Sequence, residues 1–91
     1  MATIYKTDGT EEEVQPQNGT DFSLKELQGF VGGYIELVSL PGEKKLMVVN
    51  EEGKIDRLPL NQKATELFHK CKGTYDVIVG DVLVCDPKQV R

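Results

Sequence analysis

Residues 22–40 read FSLKELQGFVGGYIELVSL, and this stretch carries the signals of a short helix followed by a strand. Ser23 and Glu26 form a capping-box pair, in which two side chains satisfy backbone N–H groups at the start of a helix. The glycine pair at 32–33 ends the helix, because glycine adopts the left-handed conformation without steric cost. A helix of about two turns is stable only when it packs on other structure. The stretch therefore predicts a short helix on a sheet to which residues 34–40 contribute a strand.

Apolar side chains indicate which face of this helix is buried. Leu24, Leu27 and Val31 are spaced at i, i+3 and i+7, which places them on one stripe. Phe22 precedes the cap and is positioned to contact Leu27 as a hydrophobic staple. This stripe predicts the contact between the helix and the sheet.

An Asp-Gly pair divides the N-terminal residues into two segments. Residues 3–7 and 10–14 have strand character, and Asp8-Gly9 favours a two-residue type I′ turn between them. Residues 15–20 are polar and contain proline and glycine, which is typical of a loop. The N-terminus therefore predicts a β-hairpin.

Downstream of residue 40, turn residues alternate with apolar segments. Pro41-Gly42 predicts a turn, residues 45–49 a strand, and residues 50–53 a type I turn with glycine at its bulge position. Residues 54–58 predict a short returning strand, which Pro59 ends because proline cannot donate to a sheet.

The last third of the chain predicts a helix and a hairpin. Asn61 is a good helix cap, and Gly73 stops the helix. An amphipathic stripe lies between them at i, i+3, i+4 and i+7, formed by Ala64, Leu67, Phe68 and Cys71. Residues 75–79 and 82–85 predict a hairpin around Gly80-Asp81, and their continuous apolar character indicates strands covered on both faces.

These elements predict a single α+β domain over residues 1–91. The order is ββ-α-ββ-α-ββ, and sequential hairpins favour a mainly antiparallel sheet of about five or six strands with two short helices packed on it.

Composition narrows the class of protein. Fifteen acidic against eleven basic residues give a net charge of −4, which disfavours nucleic-acid binding because such proteins present a basic surface to phosphates. We expect no membrane span and no secretory signal, since no apolar run reaches the required length. Cys71 and Cys85 make neither a disulfide framework nor a zinc spacing, which favours a reducing cytoplasm.

Three motifs occur in order along the chain: VGGYIE at 31–36, NEEGK at 50–54 and LPLN at 58–61. With DVIVGD at 76–81, this series resembles a small domain-of-unknown-function family of bacteriophages and mobile elements. The resemblance covers residues 27–85. It implies a phage or mobile-element origin and action in the bacterial host cytoplasm, and it supplies no activity and no catalytic residues.

No catalytic arrangement is visible in the sequence. His69 is the only histidine, and a nucleophile needs a base within reach and a group that orients it. The acidic runs at 11–13 and 51–52 lack the converging oxygens that hard cations need. We expect no enzyme activity, no metal and no cofactor.

Basic residues cluster where the second helix begins. A helix N-terminus already carries a positive dipole end, so extra cations there are unfavourable unless an anion binds. The predicted ligand-binding residues are Lys54, Arg57, Asn61 and Lys63, with Tyr34 or Tyr75 available to stack on a base. The alternative is that Asn61 is only a cap and the basic side chains are solvated.

Two hypotheses of function follow. The first is a non-enzymatic phage-type protein that sequesters a small anionic ligand such as a nucleotide signal of bacterial immunity, with sites at the subunit interfaces of a homo-oligomer. The alternative is a protein–protein inhibitor or accessory factor that docks on a host protein through its acidic surface, at residues 11–13 and 51–52.

Overall fold

A computed structural model describes residues 2–40, 42, 44–72 and 76–90, with the backbone alone at 71 and 72. It contains seven main elements and a final 3₁₀ turn. They are β1 (Ala2–Tyr5), β2 (Glu11–Val14), α1 (Leu24–Val31), β3 (Ile35–Leu40), β4 (Lys45–Asn50), α2 (Gln62–Lys72), β5 (Val82–Cys85) and the turn Pro87–Gln89.

The five strands form one sheet in the order β2-β1-β5-β4-β3, and every neighbouring pair is antiparallel. The predicted α+β class with a mainly antiparallel sheet and two helices is confirmed. The strand that comes last in the chain lies at the centre, between β1 and β4.

The two helices cover opposite faces of the sheet. Val48 and Leu83 pack with Leu27 and Val31 of α1 in one buried cluster. The residues on either side of Val48 and Leu83 point to the other face of the sheet and pack with α2 in a second cluster. This cluster includes Met47, Val49, Val82, Val84 and Ala64. All four residues of β5 are buried, as expected for a strand covered on both faces.

The capping box predicted for α1 is confirmed. The Ser23 hydroxyl accepts from the Glu26 N–H at 3.1 Å, and a Glu26 carboxylate oxygen accepts from the Ser23 N–H at 2.9 Å. Gly32 ends the helix with φ of 80°. Phe22 and Leu27 are both buried in the same cluster, as the staple predicts.

The first hairpin is confirmed, but the predicted two-residue turn is wrong. The Gly9 N–H donates to the Lys6 carbonyl at 3.0 Å, and the Lys6 N–H donates to the Thr10 carbonyl at 2.9 Å. Of the Asp8-Gly9 pair, only Gly9 has a positive φ, at 91°. This is a three-residue loop with a glycine bulge, and an Asp8 carboxylate oxygen stabilises it by accepting from the Thr10 N–H and hydroxyl.

The strand predicted at residues 54–58 is also wrong. Residues 51–57 form successive turns, in which the Asp56 N–H donates to the Glu52 carbonyl at 2.8 Å and Arg57 has φ of 56°. A returning strand would need a free edge of β4, and both edges of β4 are already paired with β3 and β5.

The predicted last hairpin is wrong as well, because only its second half is a strand. The Ile78 carbonyl accepts from the Asn61 N–H at 2.9 Å and from the Thr65 hydroxyl at 3.1 Å. Residues 76–79 are therefore attached to the start of α2, while β5 pairs with β1 and β4. The observed order is ββ-α-ββ-α-β.

Some predicted features lie outside the described residues. They are Pro41 of the predicted turn, the helix stop at Gly73, Tyr75, and the side chain of Cys71. In the part of the chain that is described, no helix is both long and apolar enough to cross a membrane.

Candidate functional site

A cleft of about 230 Å³ opens on the α2 face of the sheet, beside β3. Its apolar lining comes from β3, β4, α2 and the segment after α2, namely Val38, Val49, Phe68, Val77, Ile78 and Val79. The other lining residues come mainly from the end of β4 and the turns that follow, and they are Glu36, Asn50, Glu51, Lys54, Ile55 and Asp76. We call this the carboxylate-rimmed cleft.

Strand alternation explains why β3 contributes to this cleft. Residues 36, 38 and 40 lie on one face of the strand, and Leu40 packs in the cluster under α2. Glu36 lies directly opposite Val49 of β4. The same alternation of side chains that builds the core therefore places Glu36 and Val38 in the wall of the cleft.

Asp76 connects three segments at the mouth of the cleft. One of its carboxylate oxygens accepts from the Lys54 ammonium and from the Val77 N–H, the latter at 2.9 Å. Its carbonyl is hydrogen-bonded to Nε2 of His69 on α2. The hydrogen bond from Lys54, followed by that from the Val77 N–H, lowers the pKa of the Asp76 carboxyl below its usual value.

We expect an NMR titration to place the pKa of Asp76 below the ordinary value of about 3.9, and Lys54→Met to raise it towards that value. Because the folded pKa is the lower one, this contact stabilises the fold above the ordinary pKa, and the contribution is lost as the pH falls through the lowered pKa. Lys63→Met is the matched control and should leave the Asp76 titration unchanged. An unchanged pKa in Lys54→Met would contradict the assignment.

Asn50 supports the turns that form the rim. Its side-chain amide donates to the Val31 carbonyl at 3.1 Å, and its side-chain oxygen accepts from the Glu52 N–H at 2.8 Å. A Cβ at Gly33 would lie 3.0 Å from the Asn50 amide nitrogen, so the close approach favours glycine there. The end of α1 and the start of the turns are thereby held together.

The five predicted ligand-binding residues do not form one cluster. Lys54 lies at the cleft with Asp76, whereas Lys63 pairs with Glu11 of β2 at 2.7 Å. Arg57 is exposed on the turns, and Tyr34 is 66% exposed at the start of β3. Among the described residues, no hydrogen bond or ion pair joins any two of the five.

Asn61 is buried, and its side chain is fully used inside the fold. Its amide donates to the Tyr5 carbonyl at 2.7 Å and to the Gly80 carbonyl at 2.8 Å. Its side-chain oxygen accepts from the Ala64 N–H at 3.1 Å. Asn61 therefore caps α2, as predicted, and also attaches that helix to β1.

Sequence reasoning missed most of the cleft. Glu36, Phe68 and Asp76 were not among the predicted site residues, although Glu36 and Asp76 lie within two of the quoted motifs. Strand parity could have placed Glu36 and Val38 on one face. The contribution of residues 76–79 could not have been found, because that segment was assigned to a hairpin.

The rim of the cleft is predominantly negative. Glu36, Glu51 and Asp76 contribute carboxylates, and the one ammonium among the described lining residues, that of Lys54, is paired with Asp76. Such a rim favours an incoming cation over an anion. Within the described ranges, no group of three His, Cys, Asp or Glu side chains is arranged to hold a metal ion.

The buried thiol of Cys85 lies in the core, away from the cleft lining. Burial, and then the charge of Asp86, raises the pKa of this thiol to about 11. Since the thiolate is the reactive form, Cys85 is a weak nucleophile at neutral pH.

A five-stranded antiparallel sheet with one helix on each face and a small cleft near one edge defines a small α+β domain with a surface cleft. The chain belongs to the family described as Domain of unknown function (DUF3846), whose model matches residues 1–90. The match includes the N-terminal hairpin, which lay outside the motif resemblance. No curated protein and no solved structure matches the chain.

Proposed function

We propose that this protein is a non-enzymatic docking protein whose carboxylate-rimmed cleft receives an apolar side chain flanked by basic residues of a partner protein. The observation that carries the proposal is the combination of an apolar lining with three carboxylates around one opening. Apolar contacts supply affinity at such sites, and charges supply orientation and selectivity.

The size of the cleft supports a side chain as its occupant. Pockets for drug-sized molecules usually enclose about 300–1,000 Å³, whereas this cleft measures about 230 Å³. At its mouth, Ile55 is 79% exposed and Val77 is 38% exposed. These two side chains extend the apolar surface beyond the opening and would become buried when a partner docks.

The motif series supports a phage or mobile-element setting for this docking. In that setting the protein acts in the bacterial cytoplasm as an inhibitor or accessory factor of a host protein. Proteins that bind nucleic acids commonly have a basic surface. They are therefore the class of partner to test first.

The proposal is tested with two synthetic peptides that share one apolar residue and differ only in its flanks, arginine or glutamate. Fluorescence anisotropy should show binding of the arginine-flanked peptide. Glu36→Lys combined with Glu51→Lys should weaken it by about tenfold or more at low salt, because attraction is replaced by repulsion.

Glu12→Lys combined with Glu13→Lys is the matched control, since both glutamates are exposed on β2 at the opposite edge of the sheet and the net charge changes by the same amount as in the rim variant. It should retain peptide binding within about twofold. Equal binding of both peptides, or equal losses in the rim variant and the control, would contradict the proposal.

The second candidate is sequestration of an anionic nucleotide. Arg57 supports it, because this exposed guanidinium pairs with no acid among the described residues. Tyr34 lies beside the same turns, since its carbonyl accepts from the Glu51 N–H at 2.8 Å. Tyr34, Lys54 and Arg57 all lie on or beside residues 51–57, and a ligand that contacts them would have its phosphate held by the guanidinium fork of Arg57.

A thermal-shift panel of linear, cyclic and ADP-ribose-type nucleotides tests this candidate. A ligand at 100 times its Kd stabilises by about 2.7 kcal/mol, which should raise the Tm of a domain of this size by roughly 10 °C. Arg57→Ala should remove the shift, and Lys63→Ala should retain it because Lys63 is paired with Glu11. A flat panel would contradict sequestration and leave docking.

A further inference from the structure

The outer edge of β3 pairs with no strand among the described residues, since β3 is the last strand of the sheet. It is six residues long, and Glu36 is its only charged residue. Leu37 is 47% exposed on it. An exposed apolar edge of this length is a template for pairing with another strand.

The register identifies which backbone groups point outward. Ile35 lies opposite Asn50, so Tyr34 lies opposite Glu51, and the Glu51 N–H donates to the Tyr34 carbonyl at 2.8 Å. Hydrogen-bonded and non-hydrogen-bonded pairs alternate in an antiparallel ladder. The N–H and C=O groups of residues 35, 37 and 39 are therefore directed away from β4.

The opposite edge of the sheet is protected against such pairing. β2 has four residues, and three are the exposed glutamates Glu11, Glu12 and Glu13. Short length and charge both disfavour edge-to-edge association. Of the two edges, β3 is therefore the one that favours pairing with another strand.

We propose that two copies of the chain pair through antiparallel β3 strands, with Leu37 opposite Leu37 of the second copy. Residues whose N–H and C=O groups point away from β4 can bond only to the same kind of residue in the second strand. The register with Leu37 at its centre aligns residues 35–39 of one copy with the same residues of the other in reverse order. It forms about six backbone hydrogen bonds. Such a contact is self-complementary about a two-fold axis and closes as a dimer.

Charge is compatible with this register. Glu36 lies opposite Val38 of the second copy, so the carboxylates of the two strands are not direct partners. Like charges directly opposite would destabilise the pair. Pairing of β3 with β2 of another copy would instead be head-to-tail and open-ended, and would bring Glu36 towards the glutamates of β2.

The dimer would place the two carboxylate-rimmed clefts side by side, because Glu36 and Val38 line the cleft from β3. The inference does not depend on the proposed function. Leu37 lies on the opposite face of β3 from Glu36 and Val38, so Leu37→Lys tests the dimer without changing a cleft side chain. Loss of the dimer with peptide binding retained separates the two proposals.

The first test is the molar mass in solution, measured by light scattering at rising protein concentration. The wild-type chain should reach the dimer mass, and Leu37→Lys should remain a monomer. Leu24→Lys is the matched control, an exposed leucine on α1, and should still dimerise. Mixing Leu37→Lys with Leu37→Glu should restore the dimer, because the register places opposite charges together.

A second measurement needs no variant. Amide hydrogen exchange at residues 35, 37 and 39 should slow as the protein concentration rises, whereas the amides of 36 and 38 should be protected at every concentration by their hydrogen bonds to β4. A wild-type chain that stays monomeric at all soluble concentrations would overturn the proposal. So would a dimer in which those three amides exchange at the same rate as in the monomer.

Discussion

Replacing Asn61 with aspartate should remove a large share of the free energy of unfolding at neutral pH, although aspartate is among the best helix caps. In the native fold the Asn61 amide donates to two carbonyls, those of Tyr5 and Gly80. A carboxylate would face both carbonyl oxygens with no proton to donate. Burying such a charge costs about 3 kcal/mol or more, against a net stability of about 5–15 kcal/mol for a domain.

The pH dependence of this variant has a definite sign. Burial against carbonyl oxygens raises the pKa of a carboxyl group, so the folded pKa of the new aspartate exceeds the unfolded one. The variant should therefore regain stability as the pH falls from about 7 to 5, where protonation restores one donor. Circular dichroism across this range provides the measurement.

Ser23→Asp is the matched control, because Ser23 also caps a helix but its hydroxyl only accepts there. Its free energy of unfolding should change by less than about 1 kcal/mol. Equal effects of the two substitutions would mean that Asn61 acts only as a cap.

Phe22→Ala should lower the free energy of unfolding by about 3–5 kcal/mol, the usual cost of emptying a buried aromatic site. Phe22 is fully buried, and its ring meets that of Phe30 edge to face at 5.5 Å between centroids. Its N–H donates to the Gln89 carbonyl at 2.7 Å. The side chain thus packs α1 against the core where the C-terminal segment is attached.

Phe30→Ala is the comparison for Phe22→Ala, since Phe30 belongs to the same aromatic pair but is only partly buried. In urea, Phe22→Ala should show a much lower midpoint with an unchanged m value, and Phe30→Ala a smaller decrease. A loss at Phe22 no larger than that at Phe30 would contradict the central role of Phe22.

The prediction of α1 succeeded because the relevant interactions lie within a few residues of the chain. The Ser23–Glu26 pair and the left-handed Gly32 act across three or four residues. The same holds for the cap of α2, where the Asn61 side chain accepts from the Ala64 N–H. The strands of the first hairpin were likewise predicted from residues close together in the chain, although the turn contains one residue more than Asp8-Gly9 indicated.

The prediction of the last hairpin failed for a non-local reason. Residues 76–79 are as apolar as a strand, but Ile78 bonds to Asn61 and Thr65 instead. The edges of β5 are taken by β1 from the N-terminus and by β4 from the middle of the chain. No pattern within residues 75–85 contains that information.

In the candidate site, too, local sequence predicted a residue but not its partner. Lys54 was predicted and lies at the cleft, but its partner Asp76 is 22 residues further along the chain. Lys63 was predicted to join Lys54 and instead pairs with Glu11. The two lysines therefore lie at different places on the fold, each beside an acid that a distant segment contributes.

Local sequence was thus sufficient for the class of fold, for both helix starts, for most strands and for most of the apolar faces. Leu24 is the exception: it was predicted on the buried stripe of α1, but it is 56% exposed, and only Leu27 and Val31 of that stripe are buried. Capping and periodicity are decided within one or two turns of backbone. Tertiary structure decided the strand order, the path of residues 76–81, the conformation of residues 54–58 and the position of the carboxylate-rimmed cleft. Each of these is settled by competition between distant apolar segments for the same sheet edges, and that competition is decided only when the whole core is formed.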